Sequence, residues 1–182
     1  MAGKPLVYWD SCIFIAHLKN ENRSNPLDMQ GVGELVRRID GGDIGLVTSV
    51  IALPEVLEST LPKDAIRDFR AYLSRPDVLL IDVDRRIAEI SHEIRDFYQN
   101  DGSGEKTVST PDAIHLATAI SKGCPVFYTF DGDAKQKTDR SRVLLPLGNN
   151  IAGKYSLKIQ KPEPTQLALD FPIAVQGGET KP

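Results

Sequence analysis

The sequence predicts an α/β fold in which a central parallel sheet is covered by helices on both faces, a three-layer α/β/α sandwich. Short apolar runs rich in strand-forming residues alternate along the chain with longer segments of helical periodicity. Parallel strands need a crossover connection, usually a helix, and a strand buried on both faces is apolar throughout. Four runs fit this description: PLVYWD, IGLVTS, DVLLIDV and PVFYTF. The alternation therefore favours one sheet between two layers of helices.

In the first half of the chain, a predicted helix follows each strand. The first strand ends at Asp10 and continues into SCIFIAHLK, whose apolar residues suit a buried helix. After a polar loop, the segment GVGELVRRID is amphipathic and is closed by Gly41 and Gly42. The second strand leads into VIALPEVLES, where Pro54 either kinks the helix or marks a new start.

In the second half, two amphipathic helices, PKDAIRDFRAYLSR and DRRIAEISHEIRDFYQN, flank the third strand. The helix TPDAIHLATAI ends at Gly123, the fourth strand follows it, and RVLLPL predicts a short fifth strand. From residue 149 the composition changes to a proline-containing segment. We therefore expect one domain over residues 1–148 and a C-terminal tail over residues 149–182 that docks on the domain or on a partner.

The composition is that of an ordinary soluble protein, with 41% hydrophobic and 26% charged residues in a chain of 182. No apolar run reaches the roughly 20 residues that span a bilayer, and no signal-peptide core is present, so we expect a cytoplasmic protein without a membrane partner. Cys12 and Cys124 lie in apolar surroundings without metal-type spacing, which favours buried reduced thiols. The net charge of −3 argues against coating of nucleic acid by bulk attraction.

Acidic residues stand where the predicted strands end. Asp10 ends the first strand, Glu55 lies just past the second, and Asp131 ends the fourth. Asp112 opens the helix that leads into that fourth strand. Because ligands gather at the carboxyl ends of parallel strands, these carboxylates are expected to meet at one edge of the sheet. Clustered carboxylates without an accompanying histidine or cysteine suit Mg²⁺ or Mn²⁺, ions that can activate water for attack at phosphorus.

Each of these residues also has a simpler interpretation. Asp112 can be stabilised merely by the helix start, with Thr110 as the capping residue and Pro111 in the first turn. Asp10 and Asp131 can be strand-end turn residues, and Glu58, one helical turn on, competes with Glu55. The remaining candidates are histidines. His115 can be a base, a ligand or a packing residue, and the last is favoured; His17 and His92 have no partner at ligand spacing.

Four blocks in this order, VYWDSCIFIA, TSVIALPEVLE, STPDAIHLATAI and VFYTFDGDAKQ, resemble the acidic motifs of PIN-domain nucleases, among them the toxin ribonucleases of VapBC-type toxin–antitoxin pairs. The resemblance covers roughly residues 5–146 and implies a PIN-like α/β/α fold over the first domain. It implies cleavage of RNA that depends on a divalent metal. It also implies an antitoxin protein as partner and a homodimer.

Carried over by position, the resemblance implies a catalytic and metal-binding set and two hydroxyl residues that orient it. The implied ligands of Mg²⁺ or Mn²⁺ are Asp10, Glu55, Asp112 and Asp131, with Asp133 as a further candidate. The site-orienting residues are Ser11 and Thr129.

A basic segment follows the last acidic block and is a candidate for RNA binding. Positive charge beside the metal site could contact phosphates, although a solvated loop is the simpler interpretation. The residues concerned are Lys135, Lys137, Arg140 and Arg142.

The sequence thus predicts an endoribonuclease that depends on a divalent metal and hydrolyses RNA phosphodiester bonds, in the role of a toxin within a toxin–antitoxin pair. The alternative is a catalytically silent PIN-like module that binds RNA or a partner protein. An aspartyl phosphotransferase is disfavoured because Asp10 is followed by SCI, with no second aspartate two residues on.

Overall fold

The computed structural model describes residues 4–100, 107–132 and 144–164. A five-stranded parallel sheet with the strand order β3-β2-β1-β4-β7 forms its centre, and β5 and β6 form a small antiparallel pair beside it. Numbered along the chain, the strands are β1 (Leu6–Trp9), β2 (Gly45–Ser49), β3 (Val78–Ile81), β4 (Val126–Tyr128), β5 (Asn150–Ile151), β6 (Tyr155–Ser156) and β7 (Lys158–Gln160). The prediction of a parallel sheet within a three-layer α/β/α sandwich is confirmed.

Helices cover both faces of this sheet, as the strand alternation requires. In β1, successive side chains point to opposite faces, so Tyr8 packs with β2 and β4 residues on one side while Val7 and Trp9 pack on the other. The helices are α1 (Ser11–Lys19), α2 (Pro26–Asp40), α3 (Ala52–Glu58), α4 (Lys63–Leu73), α5 (Arg85–Asn100) and α6 (Thr110–Ser121). Tyr8 faces α5 and α6, whereas Trp9 faces α1, α2 and α4.

Two helix starts differ from the sequence-based expectation for local reasons. Helix α2 begins at Pro26, five residues before the predicted start, because the Asn25 side chain accepts a hydrogen bond from the amide of Leu27 and a proline suits the first turn. Helix α3 contains Pro54 within its first turn, where a missing amide hydrogen breaks no intrahelical bond. Pro54 therefore neither kinks this helix nor interrupts it.

The predicted fifth strand is wrong. Residues Leu145–Leu147 form a short 3-10 helix, and the fifth strand of the sheet is β7, which pairs with β4 in parallel register from Val126↔Lys158 to Tyr128↔Gln160. The division of the chain at residue 148 stays a prediction. However, the part of the tail that the structure describes, up to Pro164, contributes a strand to the central sheet.

The segment after β7 continues across helix α2. Lys161 Nζ lies 3.0 Å from Oδ1 of the buried Asp28 in α2, and the backbone of Pro162 packs directly against Gly31. Within the described ranges, no helix combines the length and apolar character needed to cross a bilayer.

Candidate active site

The four predicted acidic residues lie at the carboxyl end of the sheet, each on a different element. Asp10 directly follows β1 and caps helix α1, and Glu55 lies in α3 after β2. Asp112 is in the first turn of α6, and Asp131 comes shortly after β4. Asp10 is buried and the other three are partly buried. The parallel sheet thus brings together residues that are up to 121 positions apart in the sequence.

Asp10 is held by a set of hydrogen-bond donors. Its Oδ1 accepts from the amide of Ser11 at 2.8 Å, and its Oδ2 accepts from Thr129 Oγ1 at 2.7 Å. The thiol of Cys12 lies 3.2 Å from the same Oδ2, and burial raises the pKa of that thiol well above its ordinary value. Neutral donors therefore fix the orientation of Asp10 without neutralising its charge. Ser11 and Thr129 are the two residues for which the resemblance implies a role in orienting the site, and that role stays a prediction.

Glu55 is paired with a buried histidine. Its Oε2 lies 2.7 Å from His115 Nε2 and is also in contact with Ser11 Oγ. Burial by itself raises the pKa of Glu55, but the hydrogen bond and charge of His115 outweigh burial and the net pKa is lowered. Burial by itself lowers the pKa of His115, but the hydrogen bond with Glu55 and the charges of Asp10 and Glu55 outweigh burial, and the net pKa is raised. The two shifts agree: each partner favours the charged form of the other.

Asp112 exchanges two hydrogen bonds with Ser109. The N-cap of α6 is Ser109, one residue before the predicted Thr110, and its Oγ accepts from the Asp112 amide at 3.2 Å. The same Oγ lies 2.5 Å from Asp112 Oδ2. Burial is the largest cause of a raised pKa at Asp112, and the charges of Asp10 and Glu55 add to it. Asp112 therefore lies within the electrostatic field of the other two carboxylates as well as in the first turn of α6.

The surroundings of Asp131 also raise the pKa of its carboxyl group. Its backbone amide donates to Thr129 Oγ1 at 2.9 Å, and its Oδ2 accepts from the amide of Leu144 at 2.9 Å. Burial, followed by the charges of Asp112 and Asp10, raises the pKa of Asp131 to about 6. Burial, to which the repulsion between the carboxylates adds, thus favours protonation of one member or binding of a cation at this edge.

The other predicted residues have different outcomes. Glu58, the competitor of Glu55, is exposed to solvent in the described part of the chain, whereas Glu55 is partly buried. Asp133 and the basic candidates lie outside the described residues and stay predictions; the latter are Lys135, Lys137, Arg140 and Arg142.

Sequence reasoning missed His115, which it interpreted as a packing residue. One ligand atom from each of Asp10, Glu55 and His115 lies within 4.8 Å of the others, a spacing that could hold a metal ion. The signal was present in the sequence: His115 is three residues after Asp112, so both lie on the same face of one helix.

The donor set fits a hard divalent cation. It consists mainly of carboxylate oxygens, the ligands that Mg²⁺ and Mn²⁺ prefer, with one imidazole that Mn²⁺ also accepts. Burial, followed by the charges of neighbouring carboxylates, raises the pKa values of Asp112 and Asp131, so the charged forms of these two residues are disfavoured. A divalent ion is a direct way to stabilise those charged forms.

Comparisons with known proteins agree with the fold. One similar structure is that of VapBC2 from Rickettsia felis, which was solved bound to a DNA fragment from its promoter. The aligned chain is 16% identical in sequence with a TM-score of 0.53, and the alignment covers 76% of this chain and 96% of that one. VapC20 from Mycobacterium tuberculosis, described as a Sarcin-Ricin loop cleaving toxin, is 22% identical with a TM-score of 0.49, covering 70% and 91%.

No curated protein matches the sequence. The sequence does match the PIN domain family over residues 7–139, which include all four acidic residues at the edge of the sheet. The chain belongs to the PIN domain family, a family of nucleases.

Proposed function

We propose that this protein is an endoribonuclease that depends on Mg²⁺ or Mn²⁺ and hydrolyses phosphodiester bonds of RNA. Asp10, Glu55, Asp112 and Asp131 hold one or two ions at the carboxyl edge of the sheet. The observation that supports this most is the convergence of four carboxylates, two of them with raised pKa values, in a chain of a nuclease family.

The residues of the site have different roles in this proposal. When bound, a divalent ion supplies charge that stabilises the negative charge developing on the phosphate oxygens. Ser11 and Thr129 orient Asp10 through the hydrogen bonds described above. Asp131 is oriented by Thr129 and by the Leu144 amide, so one threonine hydroxyl contacts both aspartate residues. Such fixed orientation lowers the reorganisation required when charge develops.

We further propose that the protein is the toxin of a toxin–antitoxin pair that acts in the cytoplasm as a homodimer. The similarity of its fold to VapBC2 from Rickettsia felis supports this choice among PIN nucleases. The basic segment at residues 135–142 is proposed to contact RNA phosphates, because positive charge there counteracts the acidity of the site.

The test compares two glutamates on the same short helix. Glu55→Gln keeps the shape of a proposed ligand and removes its charge, whereas Glu58→Gln makes the same change at an exposed position one turn away. We expect metal-dependent cleavage of RNA by the wild type, abolished by EDTA. Glu55→Gln should lose at least about 100-fold in rate, comparable to the loss of other electrostatic groups in active sites, and Glu58→Gln should cleave like the wild type.

Structured and single-stranded RNA should both be assayed, with Asp112→Asn as a second loss variant. Equal activity of the Glu55 and Glu58 variants, or cleavage that persists in EDTA, would contradict the proposal. Binding of Mn²⁺ by calorimetry without any cleavage would instead support the catalytically silent module.

A further inference from the structure

The buried histidine behind the carboxylates has no role in the mechanism described so far. His115 Nε2 lies 2.7 Å from Glu55 Oε2 and 3.8 Å from Asp10 Oδ1. The first distance is that of a hydrogen bond, whereas the second is too long for one. The His115 side chain is 1% exposed, whereas that of Glu55 is 32% exposed. Glu55 therefore lies between the imidazole and solvent, and His115 acts on anything bound there chiefly through Glu55.

The second ring nitrogen of His115 is fixed by the central strands. Tyr8 Oη lies 2.6 Å from His115 Nδ1, and the same phenol oxygen accepts a hydrogen bond from the amide of Ser49 at 3.0 Å. Because the Ser49 amide donates to the oxygen, the phenol proton is available for Nδ1. The ring of Tyr8 is fully buried and stacks on Phe127 at 4.9 Å between centroids, so this donor has little freedom to move.

These contacts determine which nitrogen of His115 is protonated. With Tyr8 donating to Nδ1, the neutral ring has its proton on Nε2, which faces Glu55. The opposite tautomer would place the lone pair of Nε2 against a carboxylate oxygen at 2.7 Å, which is repulsive. The imidazolium form also has a proton on Nε2. Every stable form of the ring thus donates to Glu55.

Glu55 needs such support more than its neighbours do. It lies on a helix of seven residues whose N-cap residue, Ile51, provides no side-chain hydrogen bond to the first turn. A glutamate side chain has more rotational freedom than an aspartate, and a ligand that is not held in place must be ordered when the metal binds.

We propose that His115 is a positioning residue, whose Nε2–H holds the carboxylate of Glu55 at the metal site beside Asp10, and that Tyr8 sets the tautomer required for this bond. The inference rests on the proposed function, because it takes a divalent ion as the ligand of these carboxylates. It predicts an effect on metal affinity as well as on cleavage.

The first experiment measures the dissociation constant of Mn²⁺ by calorimetry on the full chain. His115→Leu removes the donor, His115→Gln keeps an N–H near the position of Nε2, and His92→Gln changes an exposed histidine as the control. We expect His115→Leu to weaken Mn²⁺ binding about 10- to 100-fold, the usual effect of losing an outer hydrogen-bond partner of a metal ligand. His115→Gln should recover most of this loss, and His92→Gln should bind like the wild type.

Equal weakening in the Gln and Leu variants would overturn the proposal, because it would show a packing role. Wild-type affinity in His115→Leu would overturn it as well. In both cases Mn²⁺ binding by the wild type would leave the proposed function intact. If the wild type binds no Mn²⁺, both the proposed function and the positioning role fail.

Two spectroscopic measurements on the wild-type protein do not depend on whether the His115 variants fold. In metal-free wild type in alkaline buffer, ¹⁵N NMR of the His115 ring should show a protonated Nε2 and an unprotonated Nδ1, and Tyr8→Phe should weaken this preference. A proton on Nδ1 would overturn the inference. Nitrogen coupling from His115 to bound Mn²⁺ in electron paramagnetic resonance would overturn it too, because the histidine would then be a metal ligand itself.

Discussion

Replacing Gly31 with alanine should destabilise the protein, because the C-terminal segment packs directly on helix α2 at this glycine. A Cβ at Gly31 would lie 2.5 Å from both the carbonyl carbon and the oxygen of Pro162, and 2.7 Å from the amide nitrogen of Glu163. All three are backbone atoms, so no side-chain rotation can relieve the overlap. At Gly33, two residues along the same helix, a Cβ would meet no described atom within 4 Å.

The two glycines therefore form a matched pair. Gly33→Ala replaces an exposed glycine inside a helix, which should stabilise the fold by about 0.5–1 kcal/mol. Gly31→Ala gains the same helical propensity but forces α2 and the segment apart, and overpacking of this kind costs about 1–3 kcal/mol. Gly31→Ala should thus be less stable than Gly33→Ala by about 1–3 kcal/mol.

Urea unfolding of both variants, followed by far-UV circular dichroism and by the fluorescence of the buried Trp9, measures this difference. Equal free energies of unfolding for the two variants would refute the reasoning. They would show that the segment after β7 does not lie on α2, and that the ion pair between Lys161 and Asp28 does not hold it there.

Two further predictions concern groups away from the carboxylates. Burial lowers the pKa of His17 in the folded protein, although the charge of Asp40 opposes this shift. As the pH falls below about 6.5, the histidine therefore becomes protonated in the unfolded chain before it does so in the folded protein, and the free energy of unfolding decreases. In His17→Gln the free energy of unfolding should therefore fall less steeply with decreasing pH; a slope equal to that of wild type in urea titrations would contradict this. Burial raises the pKa of the Cys124 thiol to about 12 and raises that of the Cys12 thiol well above its ordinary value. At a pH near 8, a thiol reagent should therefore label the native protein far more slowly than the unfolded protein. Rapid labelling of native protein would show that these thiols are accessible.

The first four strands and the acidic residues near their ends could be predicted because one local pattern determines both. A buried parallel strand is an apolar run, and the residue after it is at the ligand-binding edge whatever the rest of the fold does. Asp10 and Asp131 follow from this rule alone. Strand β7 does not, since only Ile159 of its three residues is apolar. Its strand conformation comes from pairing with β4, which no local pattern reports.

The contacts of His115 could not be predicted for a related reason, although its position one turn after Asp112 is visible in the sequence. In the sequence it stands among the apolar residues of a helix, and such a histidine usually has a packing role. Its hydrogen-bond partners are Tyr8, 107 positions earlier, and Glu55, 60 positions earlier. Those contacts depend on how α6 packs against the sheet, which no local pattern reports.

The four carboxylates at this edge differ in how well the surrounding protein stabilises their negative charge. This difference indicates which of them a bound cation would stabilise most. Asp10 is surrounded by neutral donors and Glu55 is paired with His115, so their carboxylates are stabilised without any ion. Asp112 and Asp131 have raised pKa values and few donors, so their charge is the least compensated in the described site. Ionisation of Asp112 and Asp131 is therefore costly in the free protein, and a cation bound beside them would offset that cost. Asp10 and Glu55 would offer such a cation ligands whose positions their hydrogen-bond partners already set.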